Sequence, residues 1–158
     1  MKTLPDCDFK FLVEQTRLML SSYRHWTGRV LWPDHASDEE FVGEVFFAPF
    51  FLASAGTEED PILNYGNQKA LELWEMDWDL FTRTPGRHTA EPMEREAREK
   101  FLETVKKQGY VDNYRGIRIS STGRRFEIRR ATVWNLLDAG GHYAGQAAVF
   151  REVYPVSG

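Results

Sequence analysis

From Gly109 to Phe150 the chain reads GYVDNYRGIRISSTGRRFEIRRATVWNLLDAGGHYAGQAAVF. Apolar and polar residues alternate over long runs there, and small turn-forming residues interrupt them twice. A period of two is the signature of a strand with two different faces. It predicts strands over 110–120, 125–137 and 143–152, with turns at 121–123 and 138–141. Three such strands joined by short turns form an antiparallel meander.

Upstream the period changes. Phe9, Leu12, Thr16, Met19, Tyr23, Trp26 and Val30 recur at spacings of three and four, which predicts an amphipathic helix over 8–27. Asp8 suits its N-cap and Gly28 its end. Ser37-Asp38-Glu39-Glu40 reads as a capping box and predicts a helix over 38–47, stopped by Pro49. Residues 50–54 and 62–65 read as short buried strands. Asn67 caps a helix over 68–74, Asp77 caps a turn at 78–81, and Pro85-Gly86 is a break. A long helix runs over 92–108, with Pro92 at its first position, Gly109 just past its last, and Met93, Ala97, Phe101, Leu102 and Val105 facing inward. The predicted fold class is α+β: a five-stranded antiparallel sheet with helices between strands two and three. Residues 1–36 form an N-terminal helical extension and 37–154 the domain proper.

Composition narrows the partners. With 20 Lys and Arg against 24 Asp and Glu the net charge is −4, which disfavours a nucleic-acid partner. The arginines at 115, 118, 124, 125, 129 and 130 crowd one hairpin, where they read as solubilising residues on exposed strands. The single cysteine, Cys7, excludes an intramolecular disulfide and suits a reducing cytoplasm. No apolar run reaches membrane-spanning length and the N-terminus lacks a signal-peptide core, so a cytoplasmic protein with no membrane partner is expected.

Several stretches resemble a known family. ILNYGNQKALELWEMDWDLFT is similar to the strand–Asn–helix entry of PAS domains, and the meander ending in FREV to their last three strands. PILNYGNQKALELWE, TPGRHTAEP, GIRISSTGRRFEI and AVFRE resemble the MEKHLA domain family, a PAS-related family, in its bacterial stand-alone form. The resemblance spans roughly residues 38–152 and implies a PAS-like fold. Where it leads one to expect Ser-His-Gly, this chain has Ser54-Ala55-Gly56. With no output domain in view, signalling would pass through a partner or a homodimer.

PAS domains commonly bind flavin, haem, covalent chromophores or metabolites. The cysteine-based flavin photocycle needs a cysteine on the helix after the second strand, and Cys7 lies outside it. Haem needs an axial histidine; His25, His35, His88 and His142 are scattered, and haem is not favoured. No histidine pair has metal-ligand spacing. Glu94, Glu96 and Glu99 alternate with Arg95, Arg98 and Lys100 as a solvated helix face. The cofactor therefore stays unknown, and neither a catalytic motif nor a metal motif is present.

A pocket is the remaining candidate. Alternation puts Phe126, Ile128, Arg130, Thr132 and Trp134 on one face of the second long strand. A two-residue turn at Thr122-Gly123 would set Ile119 opposite Phe126 and Arg118 opposite Glu127. Gln146, Ala148 and Phe150 join the Trp134 face. A ligand there would be lined by Tyr65, Trp74, Phe101, Trp134 and Gln146, with Arg118 or Arg130 holding a carboxylate. Ala131, Val133, Ala147 and Val149 make the reverse face a docking surface for the N-terminal helix or a second subunit. Three readings stay open: a sensory, ligand-binding or protein-interaction module signalling through dimerisation; a structural dimerisation domain with a filled core; or a cone-shaped α+β enzyme using Asp112, Tyr114 or His142.

Overall fold

The computed structural model of the protein describes residues 3–33 and 37–157; His35 lies outside them. The elements run α1 (Phe9–Thr27), α2 (Asp38–Phe46), β1 (Phe51–Ala55), β2 (Leu63–Gly66), α3 (Gln68–Trp74), α4 (Trp78–Phe81), a 3-10 turn (Gly86–Thr89), α5 (Pro92–Gln108), β3 (Tyr110–Ile119), β4 (Arg125–Leu137), β5 (Tyr143–Phe150) and β6 (Glu152–Pro155). One antiparallel sheet has the order β2-β1-β5-β4-β3, and β6 pairs with β4. The predicted third meander strand is split at the exposed Arg151. β5 pairs with the second half of β4 and β6 with its first half. The sheet thus has six strands where five were expected.

Local chemistry sets the helix ends. The side chains of Asp8, Ser37, Asn67 and Asp77 each accept a backbone N–H in the first turn of their helix, which satisfies donors that a helix leaves open. Asn67 does more. It is fully buried, accepts from Leu52 N at 3.0 Å and donates to Phe50 O at 2.8 Å. It therefore joins β1 to the start of α3.

The α1 helix lies across one face of the sheet. Leu12, Met19 and Tyr23 are buried there, but so are Gln15, Thr16 and Ser22. Gln15 Nε2 donates to Ser54 Oγ at 3.0 Å, and Ser22 Oγ accepts from Leu137 N at 2.9 Å. The predicted stripe is therefore used inside the domain, stitched by hydrogen bonds to β1 and β4. Val30, read as its last member, is exposed. Just past the helix, Arg29 grips Asp112 of β3 with two nitrogens, at 2.8 and 3.2 Å.

Two bulges decide which residues face which side. From Gly116↔Ile128 to Tyr114↔Ala131, β4 advances three residues while β3 advances two. The extra residue is Arg130, at φ 55°. From Tyr114↔Ala131 to Val111↔Val133 the surplus lies on β3, at Asn113 with φ 57°. A bulge inverts the side-chain alternation beyond it. Phe126 and Ile128 consequently share a face with Ala131, Val133 and Asn135, while Thr132, Trp134 and Leu136 turn to α1. The uninterrupted alternation predicted for β4 is wrong from Arg130 onward.

The first hairpin is also offset by one residue. Its turn is longer than two residues: Ser120 N donates to Arg124 O at 2.9 Å, and Arg124 N to Ser120 Oγ at 3.1 Å. Ile119 therefore pairs with Arg125, and Arg118 with Phe126. Arg118 thereby moves from the expected partner Glu127 to the same face as Phe126.

Candidate ligand-binding site

Between the sheet and α3–α5 lies a cavity of about 460 Å³. Its floor is made of small and apolar residues on β1, β4 and β5, among them Ala53, Val133 and Ala148. They face one another in register: Ala53 opposite Ala148, and Ala148 opposite Val133. Three small side chains on adjacent strands cannot fill the space beneath a helix, so volume is left. Trp74 closes one end, edge-on to Phe126 and Phe150 with ring centroids 5.5 and 6.2 Å apart. On one wall Phe101 stacks on Tyr114, centroids 3.6 Å apart and planes 12° from parallel.

Of the residues proposed from sequence, Trp74, Phe101, Arg118 and Gln146 come together around this cavity. Tyr65, Arg130 and Trp134 do not. Tyr65 is opposite Ser54 on the α1 side, packed against Phe46 and Trp78, and burial raises its phenol above the usual range. Arg130 occupies the bulge, is exposed, and pairs with Glu152 at 3.3 Å. Trp134 is fully buried against α1, its indole N–H donating to Met19 O at 3.1 Å and its ring edge-on to Tyr23. The bulge at Arg130 accounts for both errors on β4.

Gln146 is held from two sides. Its Nε2 donates to Leu102 O of α5 at 3.0 Å and to Asn135 Oδ1 at 3.1 Å. Asn135 Nδ2 in turn reaches Val105 O and Lys106 O at 3.2 and 3.1 Å. The backbone carbonyl of Asn135 accepts from Trp26 Nε1 of α1 at 2.9 Å. A chain of hydrogen bonds thus runs from the cavity wall to the helix on the opposite face. Asn135 was missed from sequence because the unbulged alternation placed it on the other side.

Arg98 was also missed. The helix face turned to the sheet carries Arg98, Phe101, Leu102 and Val105, whereas Met93 and Ala97, expected inward, are exposed. The spacing of 98, 101, 102 and 105 is that of one helical face. A charged residue in that stripe was the available signal. Burial, and then the neighbouring Arg118 guanidinium, push Arg98 down to about 10.

At the far end of the first hairpin, Glu75 follows α3 in a left-handed conformation, φ 56°. Its carboxylate accepts from Ser120 Oγ at 2.6 Å and from Thr122 Oγ1, and its carbonyl accepts from Ser121 Oγ at 2.6 Å. These bonds hold its carboxyl below the usual range and tie the hairpin to the helix next to Trp74.

His25, His88 and His142 are exposed and none lines the cavity. Among the described residues no group of three His, Cys, Asp or Glu side chains is gathered as a metal ion would require, and no helix is long and apolar enough to cross a membrane. Asp112, Tyr114 and His142, named for a cone-shaped enzyme, are dispersed. Asp112 is engaged by Arg29 and Thr132 on the α1 side, Tyr114 faces the cavity, and His142 sits in an exposed turn.

A sheet in this order, carrying its helices between the second and third strands and a cavity beneath them, is a PAS-like fold. The PAS domain of a protein from Colwellia psychrerythraea superposes with a TM-score of 0.61 at 10% identity, over 75% of this chain and 95% of that one. A light-oxygen-voltage domain studied with a flavin analogue gives 0.59 at 18%, over 78% and 89%. A variant of Vivid gives 0.53 at 13%, over 65% and 81%. No curated protein matches the chain by sequence. The profile of the MEKHLA domain family matches residues 13–155, and the chain belongs to that PAS-related family. The matched range begins inside α1.

Proposed function

We propose that this chain is a sensory module that binds a small molecule in the cavity between the sheet and α3–α5 and signals its occupancy through α1. The observation that carries this reading is the volume itself. About 460 Å³, partly open to solvent, lies beneath the helices with an apolar floor and several charged and polar side chains around it. Ligand-sized cavities lined by apolar groups with a few converging polar ones are the usual form of small-molecule sites.

The route to α1 is the chain Gln146–Asn135–Trp26. A ligand that takes the amide of Gln146 alters what Asn135 offers to α5 and biases the seating of Trp26. Ligand binding then favours one position of α1 over another, a shift between two populations. Of the surface expected to receive the N-terminal helix or a second subunit, the bulge turns Ala131 and Val133 to the cavity side, while Ala147 and Val149, opposite Trp134 and Thr132, lie under α1, so a homodimer or other partner would read the outer side of that helix.

Native mass spectrometry and absorbance of freshly purified protein test the first part. A stoichiometric non-covalent adduct supports it. A ligand-free protein that takes up nothing from a metabolite extract, while forming a concentration-independent dimer, would return the structural-domain reading. Hydrogen exchange tests the second part. Ligand should change the protection of α1 in wild type and leave it unchanged in Gln146→Leu. Equal changes in both would rule the route out.

A further inference from the structure

We infer that the cavity takes a monoanionic carboxylate on an apolar body, its oxygens held by Arg98 and Arg118 beside the hydroxyl of Tyr114. This deepens the proposal above and rests on the cavity being a ligand site. Among the described residues, Arg98 has neither an ion-pair partner nor a hydrogen-bond acceptor. Elsewhere this chain pairs its arginines closely: Arg29 with Asp112, Arg87 with Asp60 and Arg125 with Glu91, at 2.8, 3.0 and 2.6 Å. Arg118 is buried, yet its two terminal nitrogens reach only neutral acceptors, Ile117 O at 2.9 Å and Tyr114 Oη at 3.0 Å. Because Tyr114 accepts there, its own proton is free to be donated.

Two neighbouring guanidinium groups drawn from water, with no carboxylate in direct contact and only Glu99 and Asp60 acting on Arg98 from a distance, are costly. An anion between them relieves both the desolvation and their mutual repulsion, and a planar carboxylate matches the guanidinium fork. The rest of the wall sets the body of the ligand: Trp74, Phe101, Leu102 and Phe150 are apolar. The rim sets its charge. Glu58, Glu59, Asp60, Glu99 and Glu103 border the cavity and are exposed, outnumbering the basic Lys106 and Arg87, the latter paired with Asp60. A rim of that sign opposes a dianion more than a monoanion, so a carboxylate is favoured over a phosphate ester. Gly86 leaves room for the arrangement, since a Cβ there would lie 2.7 Å from Arg98 Nη2.

The test uses the full chain with biphenylacetate and decanoate, their primary amides, and biphenyl phosphate, titrated by calorimetry. The acids should bind about tenfold to a hundredfold tighter than the amides, the range of a charge-assisted hydrogen bond. In Arg98→Gln, acid affinity should fall to that of the amide while amide affinity holds. Gly86→Ala keeps the charge but displaces the guanidinium, and should weaken the acid alone. Amides binding as tightly as acids, or an unchanged acid affinity in Arg98→Gln, would overturn the anion assignment while leaving the cavity as a ligand site. Biphenyl phosphate binding tighter than biphenylacetate would overturn the monoanion. If none of the probes binds, the assignment falls together with the reading of the cavity.

Discussion

On the α1 side of the sheet, Trp134 and Leu136 are fully buried, and the indole N–H of Trp134 and the amide of Leu137 both end on α1. On the other side, Val133, Ala148 and Ala53 look into open volume, and Arg98 has no partner among the described residues. Both faces come from the same strands and the same alternation. They differ in the size of the side chains presented and in whether charges find counter-charges. Large rings and matched polar groups make a face that holds the domain together. Small residues beneath a helix that carries Arg98 leave a face with open volume. The α1 side has its own buried polar pair, the hydroxyls of Thr16 and Tyr65, which lie next to each other.

Substitutions can separate the two faces, and the largest effect belongs to the filled one. Trp134→Ala should lower unfolding free energy by about 3–5 kcal/mol, the cost of a buried tryptophan and the space it leaves. Urea titration measures this; a loss near zero would mean that α1 does not seal the sheet. Phe101→Ala, on the cavity side, should cost only about 1–2 kcal/mol, because the ring is half-exposed and already borders empty volume. A cost equal to that of Trp134→Ala would erase the contrast.

Arg98→Met should move stability the other way, by roughly 1 kcal/mol in the ligand-free protein, since an unpaired desolvated charge is replaced by an apolar chain of similar length. A clear destabilisation would show that Arg98 is serving the fold. The smallest effect concerns the clamp between Arg29 and Asp112. Hydrogen bonding from Arg29 holds the Asp112 carboxyl below its usual value of about 3.9. A carboxyl whose folded pKa is depressed adds stability above its unfolded pKa, and that stability is lost as pH falls through the folded pKa. Both partners are partly exposed, so the gain is no more than about 1 kcal/mol. Melting curves should show Asp112→Asn below wild type at neutral pH, with the gap closing below about pH 4. A gap independent of pH would mean that charge plays no part in the clamp.

The ends of most elements were legible because they are written locally. Asp8, Ser37, Asn67 and Asp77 each cap within their own first turn, and α5 runs from Pro92 to Gln108 as its flanking Pro and Gly imply. The candidate site was legible only in part. Trp74, Phe101, Arg118 and Gln146 reach the cavity; for Arg118 the predicted hairpin register was nonetheless one residue off. Trp134 and Arg130 were misplaced by a bulge, and Arg98 was read as a surface charge although its spacing matched Phe101 and Val105.

By itself the sequence determined the helices, most of their caps, all but the last of the strands and the family, because these depend on periodicity and on side chains reaching their own backbone. The tertiary structure decided what each face of β4 does. The alternation is inverted at Arg130 and again, on the neighbouring strand, at Asn113. A bulge is placed by the competing fit of three strands and the helices above and below them, not by the local pattern. One extra residue there sent Trp134 to α1 and left Val133 under the cavity.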